Sequence, residues 1–308
     1  MRKTPAACGA LLAVAVLGGA GLAASAAGRQ KNPPEIRVQT DLVSILASVI
    51  DAHGQPVLGL TKDSFDLSEQ GVPQKIVRFE AETSRPLDIA LMVDSSMSTL
   101  LDLKFETEAA ARFIRQVVSP GDTLAVFEFS DSVSELSEFS DNVPRLQAAA
   151  RRIAPGAGTS MYDAVVLASN ALKRRPEERR RAIVLVTDAG ETTSYYKFDD
   201  ARRAAIASQA LLYSIIIRPV ENEGGRNTGG EHALITITDS TGGAQFIVDS
   251  ADQLAGTFDR IDRELRTQYL LGYYSNPVPP PGSDRHVEVK VKTGDLVRYR
   301  KEYFTVAE

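Results

Sequence analysis

The stretch that most constrains the fold is residues 87–98, where an apolar run ends in the pentapeptide DSSMS. The run, residues 87–93, is rich in branched side chains and predicts a buried strand. A buried parallel strand ends at the carboxyl edge of its sheet, where open α/β folds place their ligands. That edge would present one carboxylate and two hydroxyls, from Asp94, Ser96 and Ser98. Such hard oxygen donors suit Mg²⁺ or Mn²⁺, whereas zinc and copper prefer nitrogen and sulfur.

The DSSMS pattern alone also fits a strand-to-helix turn in which Ser96 or Ser98 caps the following helix. Two other features favour a binding site. Asp188 ends a second apolar strand, predicted at residues 182–187, and Thr159 lies in the glycine-rich loop 156–160. In this order and context the three pieces resemble the metal-ion-dependent adhesion site of the von Willebrand factor type A (VWA) family. The resemblance covers roughly residues 87–266.

The resemblance implies a mode of metal binding. Hydroxyls matching Ser96, Ser98 and Thr159 would bind Mg²⁺ (or Mn²⁺) directly, and carboxylates matching Asp94 and Asp188 would act mostly through water. Neutral ligands leave much of the dication's charge uncompensated, so an open position favours an incoming carboxylate. The expected ligand is therefore an Asp or Glu of a partner protein.

One position departs from the family pattern. The residue after Asp188 is Ala189, where the family commonly has glycine. We expect no loss of metal, because Ala189 removes no ligand, although it could restrict the loop slightly.

The fold class predicted is α/β. A doubly wound, mostly parallel, Rossmann-like VWA sheet is expected at residues 87–266, where strands alternate with helices. For example, apolar residues at positions 105, 109, 113, 114 and 117 predict one helix with a core-facing side. Short β-rich segments precede this region at 35–82 and follow it at 267–308. Each set has too few strands to bury a face alone. We therefore expect the two sets to pair into a small antiparallel β module, with the α/β domain inserted between its halves.

The amino terminus is typical of an export signal. Two charged residues precede an Ala/Gly/Leu-rich stretch at 6–22, and Ala-Ser-Ala at 24–26 supplies a small-residue cleavage site. We expect residues 1–26 to be removed, which leaves no membrane span and a periplasmic or secreted protein. An uncleaved anchor is the alternative, because no charge occurs between Lys3 and Arg29. Cys8, the only cysteine of the chain, would leave with the signal.

The charge of the chain argues against nucleic acid as a partner, and one basic segment has two possible interpretations. The 308 residues carry a formal net charge of -5, so nothing indicates nucleic-acid binding. Two basic triplets, at 173–175 and 179–181, surround Pro-Glu-Glu. They predict a solvated loop between a helix and a strand, with a docking patch as the alternative.

The sequence argues against an enzyme. A phosphatase of the haloacid dehalogenase type would need a second Asp two residues after Asp94, and Ser96 stands there. No G-x-S-x-G elbow is present, and His53, His232 and His286 are predicted to lie in loops or in the terminal strands, away from the three motif loops. A remaining alternative is a structural envelope module whose metal site is vestigial. We therefore expect no catalytic residues and no organic cofactor.

Overall fold

A computed structural model describes residues 42–81, 84–97, 103–217 and 228–305. The predicted signal segment 1–26, the start of the N-terminal β segment up to residue 41, and Ser98 lie outside the described residues. The strands are β1 (Leu42–Ile50), β2 (Phe65–Glu69), β3 (Val72–Pro73), β4 (Ile76–Glu80), β5 (Leu87–Asp94), β6 (Thr123–Phe129), β7 (Val133–Ser140), β8 (Arg180–Thr187), β9 (Leu211–Ile217), β10 (Gln245–Val248), β11 (Tyr269–Tyr274), β12 (Asp284–Val291), β13 (Leu296–Tyr299) and β14 (Glu302–Phe304). The helices are α1 (Leu103–Val117), α2 (Val143–Ala150), α3 (Met161–Lys173), α4 (Phe198–Ser208), α5 (Thr228–Thr241) and α6 (Leu254–Arg266).

The central sheet has six strands in the order β10-β9-β8-β5-β6-β7. All neighbours are parallel except β7, which runs antiparallel to β6. Strands β5 and β8 lie side by side in the middle, with Val93 opposite Val186, and every residue of both is buried. Nearly continuous apolar sequence is what a parallel strand covered on both faces requires. The predicted α/β class is confirmed.

Helices cover both faces of this sheet and form two cores. Helices α1, α2 and α6 pack on one face, where the rings of Phe113 and Phe258 stack with centroids 4.4 Å apart. Helices α3, α4 and α5 pack on the other face. The predicted inner side of α1 is correct from residue 109 onward, but Phe105 is 62% exposed. In the first turn the buried stripe passes through Leu103 and Glu106 instead, which places Phe105 just outside it.

The segments flanking the α/β domain form two antiparallel sheets, in the orders β13-β1-β11-β4 and β14-β12-β2-β3. Strand β1 pairs with β11 from the C-terminal segment, and β2 pairs with β12. Both sheets contribute to a third core, in which the rings of Phe65 and Tyr269 lie 5.3 Å apart. The N- and C-terminal strands therefore pair with each other, as expected from their small number.

The basic segment before β8 differs from the prediction of a solvated loop. Arg180 and Arg181 are only 4% and 6% exposed, because β8 begins at Arg180. Their side chains leave the strand on opposite faces, where Arg180 donates to the carbonyl of Arg85 and Arg181 to the carbonyl of Ser208. Arg175 and Arg179 bind the buried carboxylate of Asp88 at 2.9 and 2.7 Å. Only the remainder of the segment, around residues 173–174 and 176–178, is exposed as expected.

Two further observations bear on the sequence predictions. His232 lies in helix α5 and not in a loop, whereas His53 lies in a turn and His286 in β12. None of the helices in the described residues is long and apolar enough to cross a membrane.

Candidate metal centre

Asp94 is the last residue of β5 and is completely buried at the carboxyl edge of the central sheet. One carboxylate oxygen, Oδ1, accepts a hydrogen bond from the amide of Ser96 at 2.9 Å. The other, Oδ2, accepts one from the hydroxyl of Thr187 at 2.5 Å. Since Thr187 ends the neighbouring strand β8, this bond connects the ends of the two central strands. It also holds the carboxylate in one orientation.

The chain turns sharply after β8 and brings Asp188 to the same edge. The amide of Ala189 donates to Thr187 Oγ1, and the amide of Gly190 donates to Asp188 Oδ1, both at 2.9 Å. Ala189 adopts a left-handed conformation with φ of 64°. Glycine adopts this conformation freely, whereas an L-residue there is strained. The departure from the family pattern is thus tolerated at the cost of some backbone strain.

The glycine-rich loop carrying Thr159 is attached to both neighbouring segments. The amide of Gly156 donates to the carbonyl of Ser95 at 2.7 Å, and Asp131 accepts from the amides at 157 and 158. A side chain at position 156 would place its Cβ 2.1 Å from Ser130 Oγ, so only glycine allows this close approach. These contacts fix the loop against the ends of β5 and β6.

Thr159 itself is bonded to the segment that follows β8. Its amide donates to Thr192 Oγ1 at 2.9 Å, and its carbonyl accepts from the amides of Thr192 and Thr193 at 2.9 and 3.2 Å. The Thr159 hydroxyl lies next to Gly190. A Cβ at that glycine would lie 3.1 Å from Thr159 Oγ1 and 3.0 Å from Asp188 Oδ1. Two of the predicted ligand oxygens therefore border one small space that a methyl group would fill.

The electrostatics of the edge fit a cation. Burial and, to a smaller extent, repulsion from Asp188 raise the pKa of Asp94 to about 6, although the hydrogen bonds from Thr187 and Ser96 oppose this. A dication between these groups would remove the repulsion and favour the charged carboxylate. Carboxylate and hydroxyl oxygens are also the donors that Mg²⁺ prefers. The residues present therefore fit the metal that the sequence predicts.

The structure brings four of the five predicted residues to one edge. Asp94, Ser96 and Thr159 are buried there and Asp188 is half-buried, whereas Ser98 lies outside the described residues. Within the described ranges, no group of three or more His, Cys, Asp or Glu side chains is arranged to hold a metal. The candidate centre would consequently depend on hydroxyl oxygens as much as on carboxylates.

Sequence reasoning did not identify Thr187, Asp131 or Gly190. Thr187 orients Asp94, Asp131 holds the glycine-rich loop, and Gly190 leaves the space beside Thr159. Each follows a recognisable strand or stands next to a predicted ligand. Their roles depend on which segments become neighbours in the folded chain, and no local pattern shows that.

The fold and this edge define the class of protein. A parallel α/β sheet with oxygen donors from three loops at its carboxyl edge is a typical ligand-binding domain of the doubly wound type. Residues 89–191, about a third of the chain, match the family model described as von Willebrand factor type A domain. The chain therefore contains a VWA domain.

Two of the solved structures similar to this chain support the fold, at low sequence identity. A von Willebrand factor type A protein from Catenulispora acidiphila is 12% identical, with a TM-score of 0.51, covering 87% of this chain and 74% of that one. The PilB minor pilin from Streptococcus sanguinis, as a D319A mutant, is 13% identical, with a TM-score of 0.50, covering 60% of this chain and 62% of that one. BatB from Bacteroides thetaiotaomicron is 15% identical, with a TM-score of 0.46, covering 59% of this chain and all of that one. No curated protein matches the sequence.

Proposed function

We propose that this VWA domain is an exported protein-binding module that captures a carboxylate of a partner protein through a bound Mg²⁺ or Mn²⁺ ion. Asp94, Ser96, Ser98, Thr159 and Asp188 would hold the ion. When bound, the ion supplies positive charge and an open position for an anionic ligand. The site would bind and not catalyse, as its resemblance to a metal-ion-dependent adhesion site implies.

The observation that carries the proposal is the convergence of three chain segments at one sheet edge. Thr187 joins the Asp94 loop to the Asp188 loop by a 2.5 Å hydrogen bond. Gly190 leaves a space bordered by both Asp188 and Thr159. Holding ligands in place through such bonds reduces the cost of assembling a site when the metal arrives.

Other features support a role in protein binding. Two large apolar side chains are strongly exposed in the loops that carry the site, Met97 at 60% and Tyr195 at 83%. Exposed Met and aromatic residues are enriched at protein interfaces. A minor pilin, PilB, has the same fold. The export signal predicted at residues 1–26 agrees with a role in the cell envelope or outside the cell.

The first test is whether the site binds a metal. The purified protein is stripped with EDTA and melted with and without excess Mg²⁺ or Mn²⁺, beside a Thr159→Ala variant. A ligand at about a hundred times its Kd stabilises a fold by about 2.7 kcal/mol, which a melting curve detects. We expect the wild type to be stabilised and the variant not. Equal responses in the two proteins would support the alternative of a structural module with a vestigial site.

The second test asks whether the bound ion accepts a carboxylate. Water-proton relaxation reports the exchangeable water on Mn²⁺ bound to the protein. We expect a short peptide containing Asp to lower the relaxation enhancement, and the same peptide with Asn to leave it unchanged. Equal effects of the two peptides would contradict carboxylate capture. Turnover of a generic phosphoester with Mg²⁺, lost in Asp94→Asn, would instead support the phosphatase alternative.

A further inference from the structure

A second candidate site lies at the opposite edge of the central sheet. A cavity of about 60 Å³ is bordered there by the first residues of β8 and β9 and by β1 and β11 of the terminal sheets. Strands of eight residues separate it from the candidate metal centre by roughly 23 Å. The cavity is lined by five arginines: Arg85, Arg179, Arg180, Arg181 and Arg300.

Two of these arginines share a carboxylate with another arginine. Arg85 pairs with Glu80 at 2.9 Å, but Glu80 also pairs with Arg78 at 2.7 Å. Arg179 pairs with Asp88, which also binds Arg175. Each carboxylate thus faces two guanidinium groups.

The other three arginines have no carboxylate partner in the part of the chain that the structure describes. Arg180 and Arg181 donate to carbonyl and amide oxygens, at 2.7 Å in the bond from Arg181 to the carbonyl of Arg175. The buried Nε of Arg181 has no acceptor among the described residues. Arg300 donates only to the carbonyl of Ser44, at a long 3.4 Å. Burial lowers the pKa of both Arg180 and Arg300 to about 10.

Buried guanidinium groups without a counter-ion are costly, because neutral acceptors do not replace the lost hydration of the charge. The planar fork of arginine matches the oxygens of an anion and binds them in pairs. A cavity of 60 Å³ holds several water-sized positions, at about 10–15 Å³ each, enough for a tetrahedral ion. Two exposed carboxylates at its rim, Glu177 and Glu178, reduce the positive potential without closing the cavity.

We propose that this cavity binds a small tetrahedral oxyanion, of the phosphate or sulfate class, through the guanidinium groups of Arg180 and Arg300. The anion would complete the charge balance between the VWA domain and the sheets made by its flanking segments. Its binding is independent of the metal centre, since none of the predicted metal ligands borders the cavity.

The test is calorimetric titration of the purified protein with inorganic phosphate and, separately, with sulfate, at constant ionic strength in chloride. We expect saturable binding of at least one of the two ions, and comparison of the two identifies the preferred one. Arg300→Gln should weaken binding about tenfold or more, as expected for one charge-assisted hydrogen bond. Arg151→Gln is the matched control, because Arg151 is exposed and its only ion pair with a described residue, Glu108, is a 3.6 Å surface contact.

A variant that should strengthen anion binding provides a second test if Arg300→Gln fails to fold. The double change Glu177→Gln and Glu178→Gln alters only exposed side chains and removes negative charge from the rim. It should tighten anion binding several-fold, because it raises the local positive potential. Absence of saturable binding in the wild type, or equal affinity in wild type and Arg300→Gln, would overturn the proposal. A thermal shift that rises with phosphate equally in all variants would mean only general salt exclusion.

Discussion

Gly190→Ala tests the candidate metal centre directly. The new Cβ would lie 3.0 Å from Asp188 Oδ1 and 3.1 Å from Thr159 Oγ1, closer than ordinary van der Waals contact. Both oxygens must therefore move by a few tenths of an ångström. Mg²⁺ demands near-ideal octahedral geometry at 2.0–2.1 Å, so displaced ligands weaken binding even though none is removed. Position 190 has no positive φ, and the backbone itself tolerates alanine.

The magnitude follows from linkage. If the wild type is at a hundred times its Kd, bound metal contributes about 2.7 kcal/mol, and a tenfold loss of affinity lowers this to about 1.4 kcal/mol. The difference of about 1.3 kcal/mol corresponds to about 2 °C in Tm for a chain of this length. The assay is thermal unfolding at fixed Mg²⁺ and in EDTA, with Kd from direct titration.

The control is Gly256→Ala, in helix α6. A Cβ there meets nothing within 4 Å, so the same chemical change should leave the metal response intact. It should also stabilise the helix by about 1 kcal/mol in EDTA. If Gly190→Ala binds Mg²⁺ as tightly as Gly256→Ala, the reasoning that places the ion between Asp188 and Thr159 is wrong.

Three other predictions concern stability. Asp88→Asn leaves two arginines facing a buried neutral group and should cost about 3–5 kcal/mol in urea unfolding. Glu108→Gln, which breaks an exposed pair, should cost under about 1 kcal/mol, and equal losses would contradict this account. Burial opposes ionisation of Asp88, but bonds from two arginines and Thr123 hold its pKa below the usual range. The ionised Asp88 therefore stabilises the fold above about pH 4, and this stabilisation is lost as the pH falls through the lower pKa of the folded state. The free energies of unfolding of wild type and Asp88→Asn should consequently converge in acid. Ala189→Gly relieves left-handed backbone strain of about 1–2 kcal/mol, but it also adds entropy to the unfolded state and removes a buried methyl group. Because these effects oppose each other, the free energy of unfolding should change by under about 1 kcal/mol, and the affinity for Mg²⁺ should be unaltered. A larger loss of stability would show that the methyl group of Ala189 has a packing role.

Local sequence pattern predicted much of the fold because the spacing of apolar residues reflects which face of a strand or helix is buried. Continuous apolar runs identified β5 and β8, and helical spacing identified α1. The pairing of the terminal segments followed from a simple requirement, that too few strands cannot bury a face alone. The same reasoning could not predict that these strands form two sheets, because strand order depends on contacts between distant segments.

Prediction from pattern failed where the environment overrides residue type. The arginines at 180 and 181 were expected in solvent, since charged residues usually are, yet β8 begins there and buries both. Phe105 was expected inside, but the buried stripe of α1 shifts in its first turn. Neither outcome can be inferred without knowing what packs against the segment.

The sequence by itself determined which residues could hold a metal, since Asp94, Ser96, Thr159 and Asp188 follow strands or lie in a glycine-rich loop that local pattern identifies. The tertiary structure alone decided how these residues are held. It placed Thr187 against Asp94, aligned Gly190 with Thr159, and gathered five arginines around a cavity at the far edge. The physical reason is that hydrogen bonds and charge balance depend on distances between segments far apart in the chain, which only packing establishes.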